Sequence, residues 1–222
     1  MPFALKQITQ PSHEPVSLAE IKDFLRVSYS DQDDILNALI TTARVSVEQY
    51  TRRILVNQQW MLVVDKFPGS WPFSYGFGAT LLSPYREIHI PLCPLRSVDS
   101  FQYVDMNTGN LVTMTEGTDY QVSTGAEPGR LQPGYGQAWP ISRWVLDSIQ
   151  ITFTAGYGDT QQSPVIGVDP PQPILHAIRM TVAHFYENRE AQEMPGAVRA
   201  LLDPYRVFDF APVMNNWERF GR

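Results

Sequence analysis

Few residues of this chain have the types and spacings that metal sites use. Its four histidines are His13, His89, His176 and His184, and no two of them have metal-ligand spacing. The acidic run that begins at Asp31 resembles the start of a calcium loop, but Leu36 stands where the sharp turn of that loop requires glycine. We therefore predict no metal site, since an acidic helix N-terminus accounts for the aspartates.

The sequence also lacks a recognisable catalytic or cofactor-binding motif. The glycine-rich segments SYGFGAT and TAGYGD have neither the GxGxxG nor the GxxxxGK(S/T) spacing of phosphate-binding loops, so we predict turns there. Cys93, next to Pro94, has no helix start beside it to activate the thiol and is predicted to be a buried apolar residue. With no nucleophilic triad visible, we predict no catalytic residue, no cofactor and no enzymatic activity.

The composition is that of a packed globular protein, with 43% hydrophobic and 12% aromatic residues among 222. A formal charge of −6 argues against a general nucleic-acid binder, because phosphate contacts need an excess of lysine and arginine. The single cysteine cannot form an intramolecular disulfide. With no signal peptide and no apolar run of about 20 residues, we expect a soluble protein made in the reducing cytoplasm, with no membrane contact.

A proline-rich, extended arm is predicted over residues 1–16, followed by a first helix. Ser17 and Glu20 have the spacing of a capping box, in which each side chain accepts a hydrogen bond from the other residue's backbone. Val16 and Ile21 have the spacing of a hydrophobic staple. These two signals place a helix start at Ser17.

A second, longer amphipathic helix is predicted to begin at Asp31. Glu48 and Arg52 are placed as an i,i+4 ion pair on its outer face. Its apolar residues recur at helical spacing and are Leu36, Leu39, Ile40, Ala43, Val47 and Tyr50. This apolar face needs a partner elsewhere in the chain.

The segment from Pro171 to Arg206 predicts a long helix, a break at Met194-Pro195-Gly196 and a short helix that stops at Asp203-Pro204. The apolar face of the long helix consists of Leu175, Ile178, Val182 and Phe185. We expect this face to pack against that of the Asp31 helix.

Short β-strands are predicted between the two helical parts. The segments with strand-like patterns are 58–65, 87–90, 97–104, 111–115, 120–123 and 148–154. Asp105–Asn110 is predicted to be a hairpin loop, and 68–84 and 128–140 are predicted to be long loops. The middle of the chain is therefore predicted to be an all-β module.

The last sixteen residues have no helical or strand periodicity, yet they contain the aromatic residues Phe208, Phe210, Trp217 and Phe220. Disordered ends are normally poor in aromatic residues. We predict that this tail binds a partner protein; the alternative, that its rings cover the chain's own domain, stays open.

Together these patterns predict an α+β fold in which N- and C-terminal helices form an antiparallel bundle and an all-β module is inserted between them. The predicted segments are 1–56 for the arm and first helices, 57–160 for the β module, 161–206 for the C-terminal helices and 207–222 for the docking tail.

Several stretches, taken in order, resemble the head-to-tail connector proteins of tailed bacteriophages, also called adaptor or head-completion proteins. They are SLAEIKDFLRV, DDILNALITTARVSVEQYTRR, IPLCPLRSVDSFQYVD, PGRLQP, ITFTAGYGD, ILHAIRMTVAHFYENREA and PGAVRALLDPYR. The resemblance covers about Ser17 to Arg206 and is greatest to the longer members that carry a β insertion. The tail after Arg206 matches no motif.

The resemblance implies a structural role in the neck of a virion, between capsid and tail. Such adaptors form a homo-oligomeric ring, usually of twelve subunits, beneath the portal protein. The ring extends the DNA channel, through which DNA passes without sequence-specific binding, and receives the stopper or tail-completion protein. The tail residues Phe208, Phe210, Trp217 and Phe220 would then dock on the portal.

A carbohydrate- or protein-binding β module with flanking helices is the alternative function. Its stacking platform would come from Trp71, Phe73, Tyr75, Phe77 or Trp139. A hydrolase built from scattered acidic residues is a third hypothesis, which no motif supports.

Overall fold

The computed structural model describes residues 3–68, 87–159, 166–167, 170–188 and 193–208. The helices are α1 (Leu18–Leu25), α2 (Asp33–Thr51), α3 (Gln172–Glu187) and α4 (Gly196–Leu202), which a 3₁₀ turn at Asp203–Tyr205 follows. The strands are β1 (Phe3–Thr9), β2 (Gln58–Val64), β3 (Ile88–His89), β4 (Leu95–Val104), β5 (Leu111–Thr113), β6 (Tyr120–Ser123), β7 (Arg130–Pro133), β8 (Ile149–Ala155), β9 (Gly158–Asp159) and β10 (Ile166–Gly167).

The chain divides into two compact units. A helical unit contains the described parts of Pro11–Asn57 and Gly156–Val207, and a sheet unit contains those of Met1–Gln10, Gln58–Ala155 and Phe208–Arg222. The predicted α+β class is confirmed. The more specific arrangement, a bundle with an inserted β module and the four segment boundaries given above, stays a prediction.

Helix α1 begins at the predicted capping box. The backbone N–H of Ser17 donates to Glu20 Oε2 at 2.8 Å, and the backbone N–H of Glu20 donates to Ser17 Oγ at 3.3 Å. Val16 and Ile21, the predicted staple, are both buried. The local sequence therefore determines this helix start, because its orphan donors are satisfied within four residues.

Helix α2 differs from its prediction at both ends. It begins at Asp33 rather than Asp31, and Gln32 at the N-cap makes no side-chain capping bond. The predicted Glu48–Arg52 pair is wrong: Glu48 is 8% exposed and its carboxylate binds Arg44 Nη1 at 2.8 Å. Arg52 has a φ of 58° and forms the left-handed C-cap. A buried carboxylate requires a buried partner, which Arg44 provides.

The two apolar faces that were predicted to pack together, on α2 and α3, both contribute to the core of the helical unit. Each helix places four residues in one buried cluster, where each isoleucine contributes about 1.5–3 kcal/mol by leaving water. Of the predicted α3 face, only Ile178 and Val182 are among them. The four from α2 are Leu36, Ile40, Ala43 and Val47, and the four from α3 are Ile174, Ala177, Ile178 and Val182. The other members of the cluster are Val16, Ile21, Leu55, Met194, and Val198 and Leu202 of α4.

The sheet unit contains an antiparallel five-stranded sheet in the order β1-β2-β8-β4-β5. The central strand β8 buries alternate residues, as period-2 geometry requires, and these are Ile149, Ile151, Phe153 and Ala155. Strand β1, which lies within the predicted N-terminal arm, pairs with β2 from Phe3↔Val64 to Thr9↔Gln59. The sequence did not indicate this edge strand.

A three-stranded sheet, β3-β7-β6, shares an aromatic core with the larger sheet. The rings of Phe67 and Trp139 are stacked with centroids 5.1 Å apart, and Phe101 of β4 meets Tyr120 of β6 at 5.0 Å. Strand β7 lies inside the predicted loop 128–140, so that prediction was wrong over Arg130–Pro133. The predicted hairpin loop Asp105–Asn110 is confirmed, since it joins β4 to β5.

Candidate interaction surfaces

The C-terminal tail leaves the helical unit at a fixed point. The backbone N–H of Val207 donates to the carbonyl of Thr51 at 2.9 Å, at the end of α2. Phe208, the next residue, is half exposed. Phe210, Trp217 and Phe220, the other predicted tail residues, lie outside the described residues.

Polar contacts fasten the segment before the tail to the end of α2. The hydroxyl of Tyr50 donates to Asp203 Oδ1 at 2.5 Å, and Arg53 Nε donates to the carbonyl of Tyr205 at 2.7 Å. The guanidinium of Arg206 lies over the Tyr50 ring, 4.7 Å from its centroid. We call this set, together with the Val207–Thr51 bond, the C-terminal clasp. The hydrogen bond to Asp203 raises the pKa of Tyr50.

The sheet unit exposes a set of apolar residues that the sequence analysis did not identify. They lie on the β4–β5 hairpin and on the loop before β8, and we call them the apolar ledge. Its members are Met106, Leu111, Val112, Ile141, Trp144, Val145 and Leu146. The sequence signal for these residues was the run WVL at 144–146, since contiguous exposed apolar side chains mark interaction sites.

The structure excludes Trp139 as a sugar-stacking platform. Trp139 is 8% exposed, with its ring stacked on Phe67 and its centroid 5.6 Å from that of Phe101. A stacking platform must expose a ring face to the ligand. The other predicted platform residues, Trp71, Phe73, Tyr75 and Phe77, lie outside the described residues.

The described residues contain no group of three or more histidine, cysteine or acidic side chains that could hold a metal ion. Cys93 is buried, as predicted. A pocket in the helical unit includes Glu14 and Glu20 in its lining, but these carboxylates already bind Arg44 and Arg179 at 2.7 and 2.8 Å. Of the helices in the described ranges, none combines the length and hydropathy needed to cross a bilayer.

Residues 15–74 match the family model described as Phage gp6-like head-tail connector protein. The matched region contains α1 and α2, including the capping box and the Arg44–Glu48 pair. The resemblance to phage head-tail connectors is confirmed. No curated protein matches the sequence.

The fold is similar to chains from three solved gene transfer agent structures. In the neck of the empty particle, computed with C6 symmetry, the TM-score is 0.69, with 20% identity over 93% of this chain and 96% of that one. In the virion of the native particle the TM-score is 0.68, with 20% identity over 92% of this chain and 96% of that one. In the native neck, computed with C12 symmetry, the TM-score is 0.64, with 20% identity over 93% of this chain and 96% of that one. The likeness in fold to these chains extends across both units.

Proposed function

We propose that this protein is a structural head-tail connector in the neck of a tailed phage or phage-like particle, between capsid and tail. The observation that carries the proposal is the family match over residues 15–74. The likeness in fold to chains of gene transfer agent necks supports it, because that likeness covers 93% of the chain rather than the matched helices alone.

In this proposal twelve copies form a ring beneath the portal protein and extend its DNA channel. The C6 and C12 symmetries of the two matched neck structures support a ring of identical subunits. A ring requires that each subunit carry two different, complementary surfaces. The opposite end of the ring receives the stopper or tail-completion protein.

A negative net charge suits a protein that surrounds a moving DNA molecule. The chain carries 23 acidic side chains against 17 lysines and arginines. Phosphate groups are bound by excess positive charge, so this balance keeps the passing DNA from adhering to the channel.

The C-terminal tail is the proposed portal-docking segment. The C-terminal clasp holds its first residues against α2, and Phe208 is half exposed directly after it. Aromatic residues are favoured as anchors in protein interfaces. Phe208, Phe210, Trp217 and Phe220 are the proposed anchors.

Native mass spectrometry of the purified protein mixed with its portal tests the ring. We expect a complex in which many copies of this chain are bound to one portal assembly. Persistent monomers together with unbound portal, under conditions in which both proteins are folded, would refute the connector proposal.

A truncation that removes 208–222 tests the tail. Because the Val207 bond to Thr51 is kept, we expect the circular dichroism signal of the helices to be unchanged while portal binding is lost. A matched control is the double substitution Asn215→Ser and Asn216→Ser, which keeps the aromatic residues and should bind normally. Equal portal binding by the truncated and full-length chains would show that the tail is not the portal-docking segment.

A further inference from the structure

Large apolar side chains are exposed at opposite edges of the five-stranded sheet. One edge is β1, where Phe3 is 53% and Ile8 is 45% exposed. At the other edge lies the β4–β5 hairpin, with Met106, Leu111 and Val112 of the apolar ledge. The sheet unit therefore exposes large apolar residues at both of its edges rather than at one.

The loop part of the ledge is fastened to the sheet rather than loose. The backbone N–H of Arg143 donates to the carbonyl of Val104 at 2.8 Å, and Ser142 forms a β-bridge with Asp105. At the far end, Ser148 Oγ donates to the carbonyl of Asp65 at 2.6 Å. A surface held in this way loses little conformational entropy when a partner binds.

The ledge has the composition of an interface core. Trp144 is 68% and Leu146 is 82% exposed, so most of their apolar area faces solvent in the isolated chain. The guanidinium of the neighbouring Arg143 lies close to Gly109 in the β4–β5 hairpin. Interface cores are rich in aromatic residues and methionine and poor in charge. The ledge therefore meets this description.

Strand β1 is a suitable counterpart for the ledge. Among the described strands it pairs only with β2, so its outer edge offers backbone hydrogen-bonding groups as well as Phe3 and Ile8. Exposed edges of this kind are prone to uncontrolled pairing unless something covers them. A ledge and an edge strand on opposite sides of one sheet are a heterologous pair, as a ring of identical subunits requires.

We propose that the apolar ledge of one copy packs against β1 of the next copy, and that this contact repeats around the ring. The proposal rests on the proposed function, since it names the partner of the ledge as a second copy of this chain. A portal or stopper protein bound to the ledge is the competing outcome.

Cysteine cross-linking tests the contact directly. In Ile8→Cys/Leu146→Cys each chain carries one reactive thiol on each surface, whereas Cys93 is buried and serves as an internal control. With the portal present, a short bismaleimide should produce a ladder of covalent multimers from the double variant. A mixture of the two single variants should stop at dimers, and neither single variant alone should cross-link.

The outcomes separate this proposal from the proposed function. If native mass spectrometry shows a ring on the portal but the double variant gives no ladder, the ledge contact is wrong and the connector function stands. Dimers from one single variant alone would likewise overturn it, because they indicate a contact between identical surfaces. If the wild type forms no ring on the portal, both proposals fail.

Charge substitutions give an independent measurement. Leu146→Glu or Ile8→Glu should each lower the fraction of chain in rings by about tenfold or more, because a carboxylate would be buried without a partner. Tyr135→Glu is the matched control: Tyr135 is fully exposed in the same unit but lies outside both surfaces. Circular dichroism should show that all three variants fold. Normal rings with Leu146→Glu, or loss of only portal or stopper binding, would overturn the proposal.

Discussion

Glu48 illustrates how burial selects among contacts that sequence spacing allows. Arg44 and Arg52 lie four residues before and after it, so the i,i+4 rule permits either pair. In the structure the Glu48 carboxylate also accepts a hydrogen bond from the backbone N–H of Leu55 at 2.9 Å. Arg44, itself 3% exposed, is the partner that shares this buried site. Spacing alone could not predict which of the two arginines would share the buried site with Glu48.

Glu48→Ala should therefore lower the free energy of unfolding by about 3–5 kcal/mol, because it leaves the buried Arg44 and the Leu55 amide with fewer partners. Arg52→Ala is the control and should change the free energy by about 0.5 kcal/mol or less. Urea denaturation of both variants measures the difference. Equal losses would contradict the assigned pairing.

The capping box makes the stability of the folded protein depend on pH, in a direction that follows from the shifted pKa of Glu20. The backbone hydrogen bond from Ser17 lowers the pKa of Glu20. A lowered folded-state pKa adds stability that is present above the ordinary glutamate pKa and is lost as the pH falls through the folded value.

Glu20→Gln should consequently destabilise the protein at neutral pH. At acidic pH the stability of this variant should differ less from that of the wild type. The side chain is 49% exposed, so solvent screening keeps the effect to about 0.5 kcal/mol or less. Thermal unfolding of both proteins from neutral to acidic pH measures it. A difference that grows as the pH falls would show that the sign is wrong.

At the scale of elements, the sequence predicted those whose signals are local and periodic. The capping box located α1, and strand-like patterns located β2 and β8. Strand β1 was missed because an edge strand is defined by its pairing with β2, which lies about fifty residues away. The aromatic core around Phe67 and Trp139 was missed for the same reason, since its rings come from distant segments.

The packing of α2 can be tested with two isoleucines of the same helix. Ile40 is fully buried in the helical core, so Ile40→Ala should cost about 2–5 kcal/mol of stability. Ile35 is 54% exposed, and Ile35→Ala should cost about 0.5 kcal/mol or less. Chemical denaturation of both variants measures the costs. Similar costs at the two positions would contradict the assigned face.

At the scale of the whole molecule, the net charge of −6 bears on contact with DNA. We expect no retardation of duplex DNA in a gel mobility assay at about 0.15 M salt, where interactions between exposed charges are screened within roughly 8 Å. A parallel assay at low salt controls for weak local contacts. Stable retardation at the higher salt would contradict the proposed non-adhesive channel.

The C-terminal clasp has a further consequence for assembly. It fixes the start of a tail whose last fourteen residues, 209–222, could span at most about 50 Å when fully extended. In the proposed ring every copy would present its tail from the same position on its own helical unit. Once one tail had bound, the others would bind at a high effective concentration, so avidity could exceed the affinity of a single tail by about 10²–10⁴. Tails that each bind weakly would then be enough to keep the ring bound to the portal. A single unassembled subunit, with one tail, would not compete with the ring for the same binding sites.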